Sequence, residues 1–377
     1  YYKGGSDSFA GIKPAEAGLW KRNNFAVYGQ LDYDITEDFL LGFAGRFEDY
    51  SDAGTNFSWK VNGRYKLGKK GAFRASYSTG FRAPTLHQTH ITLSQYIIVA
   101  GSSEPLLQGT LANNNPAVQA LGVPKLTHEI SKNISAGITY KVSNNFSASL
   151  DFYQIKVDDR VLFSSQQGYK NGSPPSGANP AVITNPVEQI LADNNVVSVQ
   201  YFINAGDTKT SGADLVLNYK NLVELSGGKI NASFSANFNK TTFEELKTPA
   251  TLANAGYNIF DRQEQGLITN SRPKSKMILG LNYVGEKWDI SLNNSRFGEV
   301  TITAPESGGT DQDLAAKVTT DLGLVYKLTD KFSVNGNINN IFDVYPDITL
   351  TSTNTSQAGS RFKYSSEVQQ LGQLGTN

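Results

Sequence analysis

Apolar and polar residues alternate with a period of two along much of the chain, and the stretch Phe57 to Leu86 shows the pattern in full. Phe57, Trp59, Val61, Gly63 and Tyr65 interleave with Ser58, Lys60, Asn62, Arg64 and Lys66. Successive side chains of a strand point to opposite faces, so this spacing predicts a strand with one apolar and one polar face. A Gly/Lys turn, Leu67 to Gly71, reverses the chain. Phe73, Ala75, Tyr77 and Thr79 then alternate with Arg74, Ser76 and Ser78. After Gly80 the pattern stops and a long irregular segment begins.

The same unit recurs. Residues 1–23 are polar, Gly-rich and irregular and read as loop. Phe25, Val27, Gly29, Leu31 and Tyr33 form one apolar row, and after the turn Thr36-Glu37-Asp38 the row Phe39, Leu41, Phe43 and Phe47 forms the next. Residues 50–56 read as a modest loop, and 80–131 as a very long one. Strands resume at Ile134 to Tyr140 and, past Ser143-Asn144-Asn145, at Phe146 to Phe152. Residues 157–199 are a second long loop. Ala213 to Tyr219 and Ile230 to Phe238 flank a turn near Ser226-Gly227-Gly228, and 241–273 is a third long loop. Met277 to Tyr283 and Trp288 to Leu292 follow, then a loop at 299–313, then Val318 to Tyr326 and Phe332 to Ile338, then a last loop at 341–360. The tally is about twelve strands of roughly ten residues, joined as hairpins, with no helical segment of note.

Two regularities separate this pattern from a soluble sandwich. Short turns and long loops alternate strictly, so all short turns are expected at one end of the sheet and all long loops at the other. Aromatics flank the short turns on the apolar face: Tyr33/Phe39, Tyr65/Phe73, Tyr140/Phe146, Tyr283/Trp288 and Tyr326/Phe332. Aromatic rings favour the boundary between hydrocarbon and water. Apolar outward, polar inward, short turns, long loops and an aromatic ring at one level are the marks of a transmembrane antiparallel up-and-down β-barrel. A sandwich with one buried face has no reason to sort its loops by end.

Composition narrows the function classes. The chain has 377 residues, with 34 Lys+Arg against 34 Asp+Glu, so its charge gives no sign of a nucleic-acid partner. It has no cysteine, which excludes thiol catalysis, disulfides and thiolate metal sites. No run approaches the ~18 apolar residues of a membrane helix. Residues 1–23 do not read as a signal peptide, residue 1 does not read as a natural start, and an N-terminal portion is expected to be missing.

Four motifs resemble those of TonB-dependent outer-membrane receptors. Gly80-Phe81-Arg82-Ala83-Pro84-Thr85-Leu86 resembles the family's GFRAP-x-L segment. Pro124-Lys125-Leu126-Thr127-His128-Glu129, with Ser131-Lys132-Asn133 after it, resembles its approach to the next strand, with Val123 and His128 departing from the pattern. Thr210-Ser211-Gly212-Ala213-Asp214 and Asn339-Asn340-Ile341-Phe342-Asp343-Val344-Tyr345 resemble two further motifs, in the family's order. The resemblance implies a 22-stranded barrel behind an N-terminal plug. The first strand here runs into a short turn, so it is even-numbered. Twelve strands from the tenth end with the twenty-first. Residues 1–377 are therefore expected to be the C-terminal part of such a barrel, with plug, first strands and closing strand absent. The resemblance further implies outer-membrane location in a Gram-negative bacterium. It implies energised import of a scarce nutrient, with ferric siderophore or haem first, and cobalamin, oligosaccharide or peptide open. Its partners would be TonB with its ExbB/ExbD complex, outer-membrane lipid and a surface lipoprotein. A passive channel or structural barrel of a surface assembly is the alternative, and a soluble β-sheet binding protein the third.

The sequence offers no catalytic constellation, so an enzyme is not expected, nor a resident cofactor or metal site. All three histidines, His87, His90 and His128, lie in or beside the 80–131 loop. Imidazole ligates iron and haem, and haem receptors of the family carry a loop histidine near this segment; an ordinary loop role stays open beside it. Tyr169, Tyr201, Tyr257 and Phe260 are loop aromatics that could stack on a ligand or pack within the loops. Phe81, Arg82, Pro84, Asn340, Phe342 and Asp343 are read as structural motif residues, with Glu48 as an expected ion-pair partner for Arg82.

Overall fold

A computed structural model describes residues 4–6, 9–11, 13–14, 16–97, 105–169, 183, 185–225, 227–305, 309–350, 363–365, 368 and 370–371. Twelve antiparallel strands dominate it: β1 (Asn24–Asp34), β2 (Phe39–Tyr50), β3 (Gly54–Leu67), β4 (Gly71–Arg82), β5 (Glu129–Lys141), β6 (Phe146–Phe163), β7 (Phe202–Leu225), β8 (Gly228–Leu246), β9 (Ser275–Val284), β10 (Trp288–Phe297), β11 (Lys317–Thr329) and β12 (Phe332–Ile338). They form one sheet in which each strand pairs with its neighbours in sequence, and β1 and β12 lie at its two margins. No helix among the described residues is long and apolar enough to cross a membrane.

The period-two pattern sorts the two faces as expected. The apolar rows, among them Phe25, Phe57, Phe152, Trp288 and Phe332, are exposed on the outward face. The aromatics at the turn end meet in register across neighbouring strands. Tyr65 stands opposite both Phe39 and Phe73. Phe146 stacks on Tyr219 at 5.6 Å, and Trp288 meets Tyr326 at 4.5 Å. The ring is thus stitched between hairpins as well as within them, each pair adding roughly 0.2–1 kcal/mol.

The inner face uses glycine to let polar side chains cross a strand. Arg74 on β4, Gly137 on β5 and Asp151 on β6 share one rung. The Arg74 guanidinium reaches over Gly137 and donates to Asp151, 2.9 Å from Nε to Oδ1, and to Thr139 Oγ1 at 2.8 Å. A Cβ at Gly137 would lie 1.9 Å from the Asp151 carboxylate. Gly42 holds the same place between Asp32 and Asn62.

The loops depart from expectation. They are not structureless: α1 (Leu86–His90), α2 (Pro116–Ala120), α3 (Pro186–Asp193), α4 (Ala250–Asn254) and α5 (Arg262–Thr269) lie in them. A small sheet also joins Leu93–Ile97, Leu106–Thr110, Val196–Gln200 and Gln167–Gly168. The strict alternation fails once, because β2 and β3 are joined at the loop end by residues 51–53 alone. The pairing of β6 and β8 runs further than the pattern, to Phe163 and to Leu246, while β7 begins at Phe202, in the stretch expected to be extended from Gln200. The reason is a β-bulge at Asp158–Arg160, where Asp159 takes φ 53°. One extra residue inverts the alternation beyond it, so the period-two signal ends where the strand does not. Most of the last loop, residues 351–362, lies outside the described residues.

The three longest loops share an apolar core. Leu111, Val118 and Leu121 from the first, Leu191, Val199 and Tyr201 from the second, and Leu252, Ile259 and Phe260 from the third pack together over the loop end of the sheet. Leu191→Ala is expected to cost about 2–5 kcal/mol within this cap, read as faster amide exchange in residues 105–128 and 185–201 with barrel amides unchanged. Gly137→Ala is expected to displace Asp151 from Arg74 and to destabilise the sheet by about 1–3 kcal/mol, read from the denaturant midpoint in detergent.

Candidate functional site at the loop end

α1 begins at a capping box: Thr85 Oγ1 accepts from Gln88 N, and Gln88 Oε1 accepts from Thr85 N, both at 3.0 Å. Pro84 precedes the cap, and its carbonyl accepts from Arg22 Nη2 at 2.6 Å. Arg22 also forms a two-pronged pair with Asp52, both contacts at 2.7 Å. The pair holds the Asp52 carboxyl below the ordinary carboxylate range. This clamp fixes the short helix against the start of β1 and the 51–53 turn.

Held this way, His87 and His90, three residues apart and so on one side of a helix, line a pocket of about 480 Å³ with Trp20, Leu86, Ile91 and Leu93. The Trp20 ring stacks on His90, with centroids 5.0 Å apart and planes inclined by 12°. Glu16 places a carboxylate at the margin. The site thus offers flat aromatic and imidazole faces in an apolar wall, in the size range of small-molecule sites. No group of three or more His, Cys, Asp or Glu side chains gathers among the described residues.

His128 lies elsewhere. It packs on Phe81 at 5.1 Å and on Tyr50 at 6.4 Å. Its Nε2 is buried with no hydrogen-bond partner among the described residues. Burial first, and then the nearby Arg22 charge, push its pKa below the ordinary imidazole value. The structure therefore brings together two of the three histidines and gives the third an aromatic packing role with Phe81.

Arg82 does pair with a carboxylate, but not with Glu48. Its Nε donates to Glu129 Oε2 at 2.7 Å, while Glu48 is engaged by Arg46 at 2.9 Å. Register decides this, because Glu129 stands directly opposite Arg82 on the adjacent strand. The buried Glu129 also accepts from Val161 N at 2.7 Å.

The four loop aromatics divide. Tyr201 and Phe260 are buried in the cap core, at 0% and 2% exposure, and present no ring face to a ligand. Burial raises the Tyr201 phenol, whose hydroxyl finds no partner among the described residues. Tyr169 and Tyr257 converge instead on Glu188, in the first turn of α3. Tyr257 donates to Glu188 Oε1 at 3.1 Å. Burial and then the Glu188 charge raise both phenols. Asn340, Phe342 and Asp343 lie beyond β12. Asn340 closes a turn, accepting from Val344 N and donating to Val344 O, both at 3.0 Å, and Phe342 is exposed.

Pattern reading passed over Trp20, Arg22 and Glu188. Trp20 and Arg22 sit in a Gly-rich segment without periodicity. The one available signal was a tryptophan and an arginine close together just before the first strand.

Comparison with known proteins places this geometry. A family model described as TonB dependent receptor-like, beta-barrel, matches residues 1–341. An iron-regulated outer membrane virulence protein of Vibrio cholerae is 24% identical over 328 residues, covering 85% of this chain and 40% of that protein. A vitamin B12 transporter of Photobacterium profundum is 22% identical over 329 residues, covering 86% and 40%. This chain thus spans about 40% of the length of the curated relatives it matches. Among solved structures, a variant of the ferric enterobactin receptor of Pseudomonas aeruginosa aligns with TM-score 0.58 and 15% identity, over 91% of this chain and 42% of that one. A siderophore receptor of Acinetobacter baumannii aligns with TM-score 0.56 and 16% identity, over 89% and 43%. These are likenesses of fold. None of these proteins is named as an enzyme. The twelve-stranded sheet is part of an outer-membrane β-barrel, and the chain belongs to the TonB-dependent receptor-like β-barrel family.

Proposed function

We propose that this chain forms the C-terminal part of a barrel that imports a scarce iron-bearing ligand across the outer membrane. The ligand would be a ferric siderophore first, with haem second. The observation that carries the reading is the cap: three long loops with one apolar core, standing over the end of a sheet whose inner face is polar. Loops with a core of their own are ordered before a ligand arrives, which lowers the ordering cost of capture. Trp20, His87 and His90 would supply flat faces to the ligand, with Tyr169 and Tyr257 as further contacts. The named relatives point the same way, one being iron-regulated. Opening the lumen would require TonB with its ExbB/ExbD complex, acting on a plug outside residues 1–377. The margins β1 and β12 would be closed in lipid by further strands, because unpaired backbone groups cost several kcal/mol each in hydrocarbon.

The test uses the intact protein in a strain lacking other iron receptors. Uptake of a ferric siderophore or of haem is expected, and it should stop when the proton-motive force is dissipated. His87→Ala with His90→Ala is expected to weaken ligand binding about tenfold, or ~1.4 kcal/mol, with unchanged heat-resistant migration of the folded barrel. Uptake that persists without proton-motive force and is indifferent to the double substitution would instead mark a passive channel.

A further inference from the structure

The outward face of the sheet differs at its two ends. At the turn end it closes on aromatics such as Tyr65, Phe73, Tyr140 and Trp288. Lys66, Lys141, Lys220 and Lys229, near the same level, take the opposite parity and face inward. At the loop end the outward positions of four consecutive strands carry lysine: Lys132 on β5, Lys156 on β6, Lys209 on β7 and Lys240 on β8. Lys132 stands directly opposite Lys156, and Lys156 directly opposite Lys209. Lys240 pairs with Ser211, two residues nearer the apolar band than Lys209. Parity fixes their direction, because Lys132 shares its side of β5 with the exposed Ile134 and Ile138, and Lys156 shares its side of β6 with the exposed Phe152.

Neighbouring strands lie about 4.8 Å apart, so the first three lysines span about 10 Å in one row. Like charges directly opposite on a sheet face destabilise it. Two carboxylates on the same face offset part of the repulsion. Asp158 lies 2.8 Å from Lys132 and 3.4 Å from Lys156. Glu244 lies 3.0 Å from Lys156 and 3.8 Å from Lys209. Lys240 is exposed and makes no ion pair among the described residues. Four ammonium groups therefore meet two carboxylates, and the belt keeps an excess of positive charge immediately above an apolar band.

Long loops lie on the extracellular side of such barrels, so this level meets the headgroups of the outer leaflet. We propose that Lys132, Lys156, Lys209 and Lys240 form a docking surface for the phosphate groups of an outer-leaflet lipid. The belt attracts an anionic headgroup, and the apolar rows beneath it, Tyr77, Ile134 and Phe152, receive the acyl chains. The proposal rests on outer-membrane placement and is independent of the ligand imported, so the uptake experiment and this one fail separately.

The test measures lipid retained by the intact protein, purified in neutral detergent and mixed with vesicles of phosphatidylglycerol and phosphatidylcholine in equal parts. Native mass spectrometry reads the bound species, and phosphatidylcholine vesicles and inorganic phosphate are run beside it. The wild-type protein is expected to retain the anionic lipid selectively and to gain thermal stability from it. The variant with Lys132, Lys156, Lys209 and Lys240 all replaced by Gln is expected to bind it about tenfold more weakly or worse. A control with Lys66, Lys141, Lys220 and Lys229 replaced by Gln should retain lipid as the wild type does. Equal retention by the belt variant would overturn the proposal, as would no preference over phosphatidylcholine, or full protection by inorganic phosphate at matched concentration. If the fourfold belt variant fails to fold, Lys240→Gln decides, since it breaks no ion pair: reduced retention supports the surface and unchanged retention sinks it.

Discussion

In hydrocarbon every backbone amide and carbonyl must find its partner within the protein, and the rest of this structure depends on that constraint. An unsatisfied group costs several kcal/mol, whereas a cross-strand side-chain pair contributes a fraction of one. The side chains therefore do not hold the sheet together so much as select one register from many. Hairpin connectivity follows, because it pairs each new strand with the one just laid down. Period two follows as well, because a one-residue slip would turn Phe73 and Tyr77 inward and Arg74 toward lipid. The bulge at Asp158–Arg160 falls where β6 rises past its last outward apolar rows toward the cap, a place where an interrupted ladder is tolerable.

Polar groups at the rim obey a related rule on a smaller scale. Glu129 is buried at 6% exposure, while the Arg82 side chain remains 49% exposed. The attraction between them is screened from the Arg82 side, so forming the pair gains little beyond surface values. Losing Arg82 would cost more than the pair gains, because Glu129 would remain buried with only the Val161 amide to satisfy it. The asymmetry makes Glu129 a fastener among β4, β5 and β6. The Arg22 clamp on Asp52 and Pro84 does the same for α1, with the Asp52 carboxylate more open to water than Glu129 and the Arg22 guanidinium less open than that of Arg82.

Much of the barrel was legible in the sequence, because each strand has two faces in different media and the difference is written at every second residue. All twelve strands of the sheet fall where alternation places them. What alternation could not show has physical reasons. The bulge breaks the phase, so the period-two pattern ends at residue 156 while β6 continues for seven residues, to Phe163. The helices are five to eight residues long, too short for a 3.6-residue period to declare itself against Gly- and Asn-rich surroundings. Arg82 was paired with the wrong carboxylate because Glu48 and Glu129 both take inward parity, and only the register across a 46-residue excursion brings Glu129 opposite. The cap was hidden for a similar reason: Leu111, Leu191 and Ile259 are far apart in sequence, and no local pattern says that they meet.

The length of the loops is better understood through that cap than through any single contact. A loop of a dozen residues can cross the mouth of a barrel but cannot bury enough apolar surface to fix itself there. Three loops that share a core can, and the core must consume aromatic residues to do so. Tyr201 and Phe260 are consumed in this way. On the proposed reading, a ligand would meet the aromatic and imidazole residues left outside that core. These are Trp20 with His87 and His90, where the indole stacks on an imidazole, and Tyr169 with Tyr257, where Tyr257 donates to Glu188. The division between buried and peripheral aromatics thus separates the residues that shape the cap from those free to recognise something, a distinction that residue type alone does not make.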